Sequence, residues 1–146
     1  MVDQTQSLRR PRGHIRGCGP PRGFDLQQLT RVAVVGRGGL TGEHVNVHHV
    51  NDWDKVIAWH RWLYGGEGDD VIAVANFKNQ AWTDYRIGLP SPGTWHCRFN
   101  SDWAGYDDTY DNYPTWTVQA QDMPWDGMPF SASISIGPYT AAFFSQ

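Results

Sequence analysis

The chain has 146 residues, enough for one domain of ordinary size and an additional segment. Its formal charge of −3 is unevenly spread: residues 1–38 hold seven Arg against two Asp, and residues 39–146 hold five Lys or Arg against thirteen Asp or Glu. The acidic balance excludes nucleic-acid binding by the main part, since phosphate contact needs clustered cations, and two Cys are too few for a disulfide framework or a metal knuckle.

Residues 1–23 combine Pro11, Pro20 and Pro21 with four Gly among scattered Arg, and read as coil. A basic arm can serve nucleic acid, but Phe24 is the only aromatic residue before 39 and the Arg show no period, so no nucleic-acid partner is assigned. Met1 to Arg12 is polar, without the apolar core of a signal peptide. No apolar run approaches membrane-spanning length. The sequence leaves the compartment open, with the cytoplasm slightly favoured, and no membrane partner is assigned. Asp25 to Val35 begins like a short helix, with Asp25 as N-cap, and ends in Val32–Val35, which fits a strand equally. Gly36 to Gly42 invites a dinucleotide-binding reading. It fails because Thr41 stands at the third glycine position and no helix follows. The expectation is a flexible junction.

From Val45 onward the chain reads as short strands separated by turns. Val45–Val50 is the first, ended by Asn51-Asp-Trp-Asp54, where Asn and Asp bond their own backbone. Val56-Ile-Ala-Trp-His-Arg-Trp62 and Val71-Ile-Ala-Val-Ala-Asn-Phe77, joined by a Gly-rich loop, predict a β-hairpin. Alternation puts Val56, Ala58, His60 and Trp62 on one face. The second run is apolar on both faces, which predicts a strand deep inside a sheet. Further strands are expected at 83–89, 94–100, 116–121, 130–136 and 139–145. In 94–100 the alternation predicts Trp95, Cys97 and Phe99 inward, His96 and Arg98 outward, and Cys97 as a buried free thiol. Seven or eight such strands predict an all-β fold, an antiparallel β-sandwich of Greek-key type with an irregular N-terminal tail.

Carboxylate pairs occur at Asp52–Asp54, Asp69–Asp70 and Asp107–Asp108. All lie in predicted turns, where Asp is expected for backbone reasons, so no catalytic residue is assigned. His44, His48, His49 and His60 raise a zinc reading, and the Asp-rich stretch 101–115 a calcium reading. The histidine spacing along a strand suits neither one metal nor a fixed ligand set. The acidic spacing does not match a calcium-binding helix–loop–helix, so no metal and no cofactor is assigned. The strongest remaining signal is aromatic. Trp82, Trp103, Tyr106, Tyr110, Tyr113, Trp116 and Trp125 lie in or beside loops. Rings of this kind stack on sugars while nearby Asp and Asn bond hydroxyls, which makes these seven the candidate sugar contacts. The opposing reading is that they pack against a further domain or cover the sandwich ends.

From Gly39 onward the chain resembles the C-terminal all-β domain of the α-amylase superfamily, which includes amylases and glycogen or starch branching enzymes. The resemblance rests on an ordered set of strings: Arg-Gly-Gly-Leu-Thr-Gly (37–42), His-Val-Asn-Val-His-His-Val-Asn (44–51), Asp-Lys-Val-Ile-Ala-Trp-His-Arg-Trp (54–62) and Val-Ala-Asn-Phe (74–77). Tyr-Arg-Ile-Gly-Leu-Pro (85–90), Gly-Thr-Trp (93–95), Phe-Asn-Ser-Asp (99–102), Met-Pro-Phe-Ser (128–131) and Ile-Gly-Pro-Tyr (136–139) follow. It implies three segments: a basic tail of non-native character at 1–38, a junction at 39–54 resembling the exit of a catalytic (α/β)8 barrel, and a C-terminal sandwich at 55–146. The family's catalytic carboxylates belong to the barrel, and its calcium is bound outside this domain. The resemblance therefore implies an accessory domain that is no enzyme on its own. Such a domain stabilises the barrel and contacts α-glucan. Residues 1–38 do not resemble the segment expected before the junction, which points to a truncated or frame-shifted gene product. A self-standing carbohydrate-binding module is the alternative. A piece sharing its parent's glycosidase or glucanotransferase activity is another.

Overall fold

The computed structural model describes residues 39–146. Eight strands follow in order: β1 (His44–Asn51), β2 (Val56–Trp62), β3 (Val71–Asn76), β4 (Trp82–Leu89), β5 (Thr94–Asn100), β6 (Val118–Gln119), β7 (Phe130–Ile136) and β8 (Ala141–Ser145). They form a six-stranded sheet ordered β1-β2-β3-β8-β5-β6 and a two-stranded sheet of β4 and β7, with every pairing antiparallel. The all-β sandwich read from the pattern is therefore the fold. The segment read as a helix or strand before Val35 lies outside the described residues.

The core follows from alternation on the two facing sheets. Val56 and Ala58 of β2, Ile72 and Val74 of β3, Trp95 of β5, and Ala142 and Phe144 of β8 come from the large sheet. Tyr85, Ile87 and Leu89 of β4, with Ala132, Ile134 and Ile136 of β7, come from the small one. All six residues of β3 are buried, as expected of a strand held between β2 and β8. Main-chain bonds between Gln121 and Ser131 stitch the chain beyond β6 to β7, tying the two sheets along one side.

Among the described residues three register shifts depart from simple alternation, on β5, on β1 and between Trp82 and Tyr85 of β4. On β5 the register shifts between Cys97 and Phe99: Cys97 faces Phe144 of the core, whereas Phe99 faces Phe143. Phe99 thus turns to the outer side, its ring 5.1 Å from that of Phe143, and Asn100 takes the buried position. The inward placement expected for Phe99 is corrected by this one inserted residue, Arg98. Arg98 is bonded to Ser145 Oγ and the Gln146 carbonyl. Cys97 is engaged in a disulfide, not the free thiol expected. On β1 the shift falls between Val47 and His49, leaving His48 as the inserted residue. Beyond β6, the strand expected over 116–121 shortens to Val118–Gln119.

Candidate functional site

Because the strands alternate in direction, β1, β3, β5 and β7 all finish at the same end of the sandwich. Three turns therefore meet there, at 52–55, 77–81 and 137–140, together with the start of the long 101–117 connection. Asn76 and Asn100 hold this end together. The Asn76 side chain is buried; its Nδ2 donates to the carbonyls of Gln80 and Gly137, each at 2.7 Å, and its Oδ1 accepts from Lys78 N–H at 3.0 Å. Its own N–H donates to the Thr140 carbonyl. Buried Asn100 donates from Nδ2 to the Tyr113 carbonyl at 2.9 Å and accepts from Asp102 N–H. A buried amide that uses both donors and its acceptor fixes turn geometry as a missing bond could not.

The 101–117 connection is folded around Asp102. Its carboxylate accepts from Asp111 N–H at 3.1 Å and Tyr113 N–H at 2.7 Å. Asn112, with φ 54°, accepts from Ala104 N–H. Asp107 bonds Thr109 through main chain and hydroxyl, which holds its carboxyl below the usual range. The segment then runs the length of the sandwich, since β6 pairs with Thr94 and Trp95 at the far end.

This geometry sorts the seven expected sugar contacts. Trp82, Trp103, Tyr106, Tyr110 and Tyr113 gather at the stapled end. Trp82 is half-buried, tilted 5.6 Å from Tyr85, with the Lys78 ammonium 5.3 Å from its ring centre. Trp103 and Tyr106 meet edge to face at 4.9 Å, and Tyr106 leans on Phe99 at 5.9 Å. Burial there pushes the Tyr106 hydroxyl up in pKa. Tyr113 is half-buried and lies against Gly137, where an added Cβ would crowd it; Tyr110 is exposed. Trp116, exposed, precedes β6. Trp125 lies at the opposite end, in a turn closed by its main-chain bonds to Met128. Three residues not picked out in the sequence join the stapled end: Trp53, Phe77 and Tyr139, all exposed. Each is a single aromatic residue in a different turn, so only the topology brings them together.

The histidines are absorbed by the fold. The β1 register places His44, Asn46, His49 and Asn51 opposite the inward residues of β2. His49 Nδ1 bonds Asp126 Oδ1 at 3.0 Å and Nε2 meets the Tyr85 hydroxyl at 2.8 Å. Asn51 Nδ2 donates to the same hydroxyl at 3.1 Å and to Asp54 at 2.8 Å. A neutral His49 protonated at Nδ1 satisfies the whole chain: Asn51 to Tyr85, Tyr85 to His49, His49 to Asp126. Burial raises the Tyr85 hydroxyl pKa against the pull of the Asn51 bond. His60 Nε2 pairs with Asp70 at 2.9 Å in the interior, with Trp62 stacked on its ring at 4.2 Å and His44 stacked on Trp62 at 5.3 Å. His48 is the exception. Its Nε2 is buried without a partner, and burial lowers its pKa despite the nearby Asp126. Among the described residues no group of three His, Cys, Asp or Glu side chains converges as metal ligands do.

The acidic pair of the β2–β3 loop is structural as well. Asp69 Oδ2 collects the N–H groups of Leu63, Tyr64 and Gly65, and Asp70 Oδ2 that of Gly66. Desolvation raises the Asp69 pKa, but the three amides and His60 outweigh it and hold the carboxyl below its usual range.

A family model for the alpha amylase, C-terminal all-beta domain matches residues 46–146, and the chain belongs to that family. Among its relatives is a 1,4-alpha-glucan branching enzyme of Mycobacterium sp. (strain KMS), 40% identical over 82 residues, which are 56% of this chain and 10% of that enzyme. The same enzyme from Nocardia farcinica is 35% identical over 83 residues, 56% of this chain and 11% of the relative. That from Burkholderia pseudomallei (strain K96243) is 41% identical over 71 residues, 49% of this chain and 10% of the relative. The chain spans about a tenth of the length of the curated relatives it matches.

Proposed function

We propose that the chain serves as a non-catalytic β-sandwich of an α-glucan-acting enzyme of branching type, packing beside a catalytic (α/β)8 barrel and contacting glucan through aromatic rings. The observation that carries this reading is how the carboxylates are used. Asp69, Asp70, Asp102, Asp107 and Asp126 are committed to backbone amides, hydroxyls or histidines. Glycoside chemistry needs two carboxyl groups facing one bond, one of them kept protonated. In this reading residues 1–38 are a tail, 39–54 the passage from the barrel, whose strand β1 joins the large sheet, and 55–146 the rest of the sandwich. The outer side of β1 and β2 supports a packing role: Val45, Val47 and Val50 are exposed, beside half-exposed Ile57 and Trp59.

The test is an assay of the purified full chain for glucan hydrolysis and branching, run with native gels containing or lacking glycogen. No turnover with retardation by glycogen is the expected result; turnover would overturn the non-catalytic reading. A second reading, a self-standing carbohydrate-binding module, is favoured by the exposed rings at the stapled end. It predicts the same retardation together with a monomer that melts cooperatively.

A further inference from the structure

Apart from Tyr64, isolated in the β2–β3 loop at the other end, the aromatic residues that the fold exposes most are not those in the long connection. Trp53 is 86% exposed, Tyr139 69% and Phe77 64%. Leaving three large rings in water is unfavourable by roughly 25 cal/mol for each Å² of apolar surface, so their common location calls for an occupant.

The three turns that carry them are tied to one another. Phe77 N–H donates to the Lys55 carbonyl at 2.8 Å, Tyr139 N–H to the Lys78 carbonyl at 3.3 Å, and Lys78 Nζ to the Trp53 carbonyl at 3.4 Å. Beneath them Asn76 joins the 77–81 and 137–140 turns through its two 2.7 Å bonds. Two residues of these three turns are held in left-handed backbone conformations that side chains disfavour: Lys55 at φ 57° and Tyr139 at φ 49°. For a bulky residue such as Tyr that conformation is a rare outlier. Here it presents the ring to solvent instead of burying it, and strain of this kind collects at binding sites.

The surroundings are polar without a strong charge of either sign. Asp52 and Lys55 neutralise each other at 2.7 Å, Lys78 lies over Trp82, and Asn79 and Gln80 are exposed beside Phe77. Flat rings carried on tied turns among amide and charged hydrogen-bonding groups suit a saccharide, whose apolar C–H faces alternate with hydroxyls. The site also lies clear of the chain's entry. The chain enters β1 at the opposite end, where Arg61 Nε bonds the Gly42 carbonyl at 3.0 Å. An eight-residue strand, roughly 25 Å long, separates the two.

We propose that Trp53, Phe77 and Tyr139 form an α-glucan-binding platform, built on the Asn76 staple and separate from the aromatics of the 101–117 connection. The choice of α-glucan rests on the functional reading above. Trp53 and Tyr139 supply stacking faces; Phe77 adds apolar surface from the turn bonded to both of theirs.

The test uses the full chain in native gels with graded glycogen, comparing wild type with Trp53→Ala, Trp53→Phe, Tyr139→Ala and Tyr64→Ala. Each of these side chains is exposed, so all variants are expected to fold, and thermal melting checks that they do. Trp53→Ala and Tyr139→Ala should each need roughly three- to tenfold more glycogen for the same retardation. Trp53→Phe should recover much of the effect, and Tyr64→Ala, at the opposite end, should behave as wild type. If wild type is retarded and the platform variants are retarded equally, the platform is overturned while the glucan-contact reading stands. If wild type is not retarded, both fall. If the Trp53 and Tyr139 variants change only the oligomeric state, the face is a protein contact and the platform is overturned.

Discussion

The side-chain amide of Asn76 donates to the main-chain carbonyl of Gly137 at 2.7 Å, joining the end of β3 to the β7–β8 turn across 61 positions of sequence. The same group holds the Gln80 carbonyl, so one buried residue closes two turns. Asn76→Ala would leave those carbonyls and the Lys78 N–H without their partner in a buried setting. The expected cost is about 2–4 kcal/mol, at about 1–3 kcal/mol for each buried group left unpaired. Urea denaturation checks it, and Asn76→Asp should cost nearly as much because a carboxylate offers no donor.

The pair of His60 and Asp70 lies in the interior, with side chains only 9% and 7% exposed. Removing one partner leaves the other's polar atom buried without its hydrogen bond, which costs about 1–3 kcal/mol. Asp70→Ala should fall in that range, because the Gly66 N–H loses its acceptor as well. Asp70→Asn, which keeps an oxygen for either contact, should cost clearly less. Denaturant midpoints of the two variants give the comparison.

Acid should weaken the fold in two stages. The folded pKa of His48 is lowered, chiefly by burial, so the unfolded chain takes up the proton first. Its contribution is intact above about pH 6.5 and declines as the pH falls through that value. Asp69 is the opposite type of group with the same sense. Its folded pKa is depressed, so its contribution is intact above about pH 4 and is lost as the pH falls below that. His48→Gln should flatten stability between about pH 5 and 6.5, and Asp69→Asn should flatten it below about pH 4. Melting temperature against pH resolves both.

Gly88 sits where β4 passes under the 125–128 turn. An added Cβ would run into the Trp125 carbonyl and the Met128 side chain, while Gly88 N–H bonds Asp126. Gly88→Ala should destabilise by about 1–3 kcal/mol, as overpacking commonly does. It should also disturb the His49–Asp126 contact, visible as a shift of the His49 ring resonances.

Val45, Val47 and Val50 form an exposed apolar row on the outer side of β1. In the purified chain this row should drive self-association. Val47→Lys should shift the mass seen by light scattering toward the monomer, with a change in stability within about 0.5 kcal/mol. An unchanged mass would exclude that surface.

The sequence made the sheet positions legible wherever burial alone decided them. The doubly apolar run 71–76 became the buried β3, and the alternation of 130–136 became the core-facing side of β7. It misled at Phe99 because a bulge depends on the register of the partner strand, which the local pattern does not contain. The aromatic end was half legible. Trp103, Tyr106, Tyr110 and Tyr113 drew notice as a cluster in one long loop, whereas Trp53, Phe77 and Tyr139 are 24 and 62 positions apart in sequence. Their meeting is a product of strand direction. The turn roles of Asp69 and Asp70 were readable, since Asp is expected where amides need an acceptor; the His60 partner of Asp70 was not.

The strand β8 lies between β3 and β5, pairing with both. Everything from β1 to β3 and everything from β5 to β6 is therefore two unconnected half-sheets until residues 141–145 arrive. On a ribosome, β3 would wait with one edge bare while some seventy more residues are made, a delay of roughly 4–14 seconds at ordinary elongation rates. A nascent chain in that interval exposes an unpaired apolar strand, and any stop codon before residue 141 would make that condition permanent. The cell's quality-control machinery, rather than equilibrium stability, would then decide how much of this protein survives.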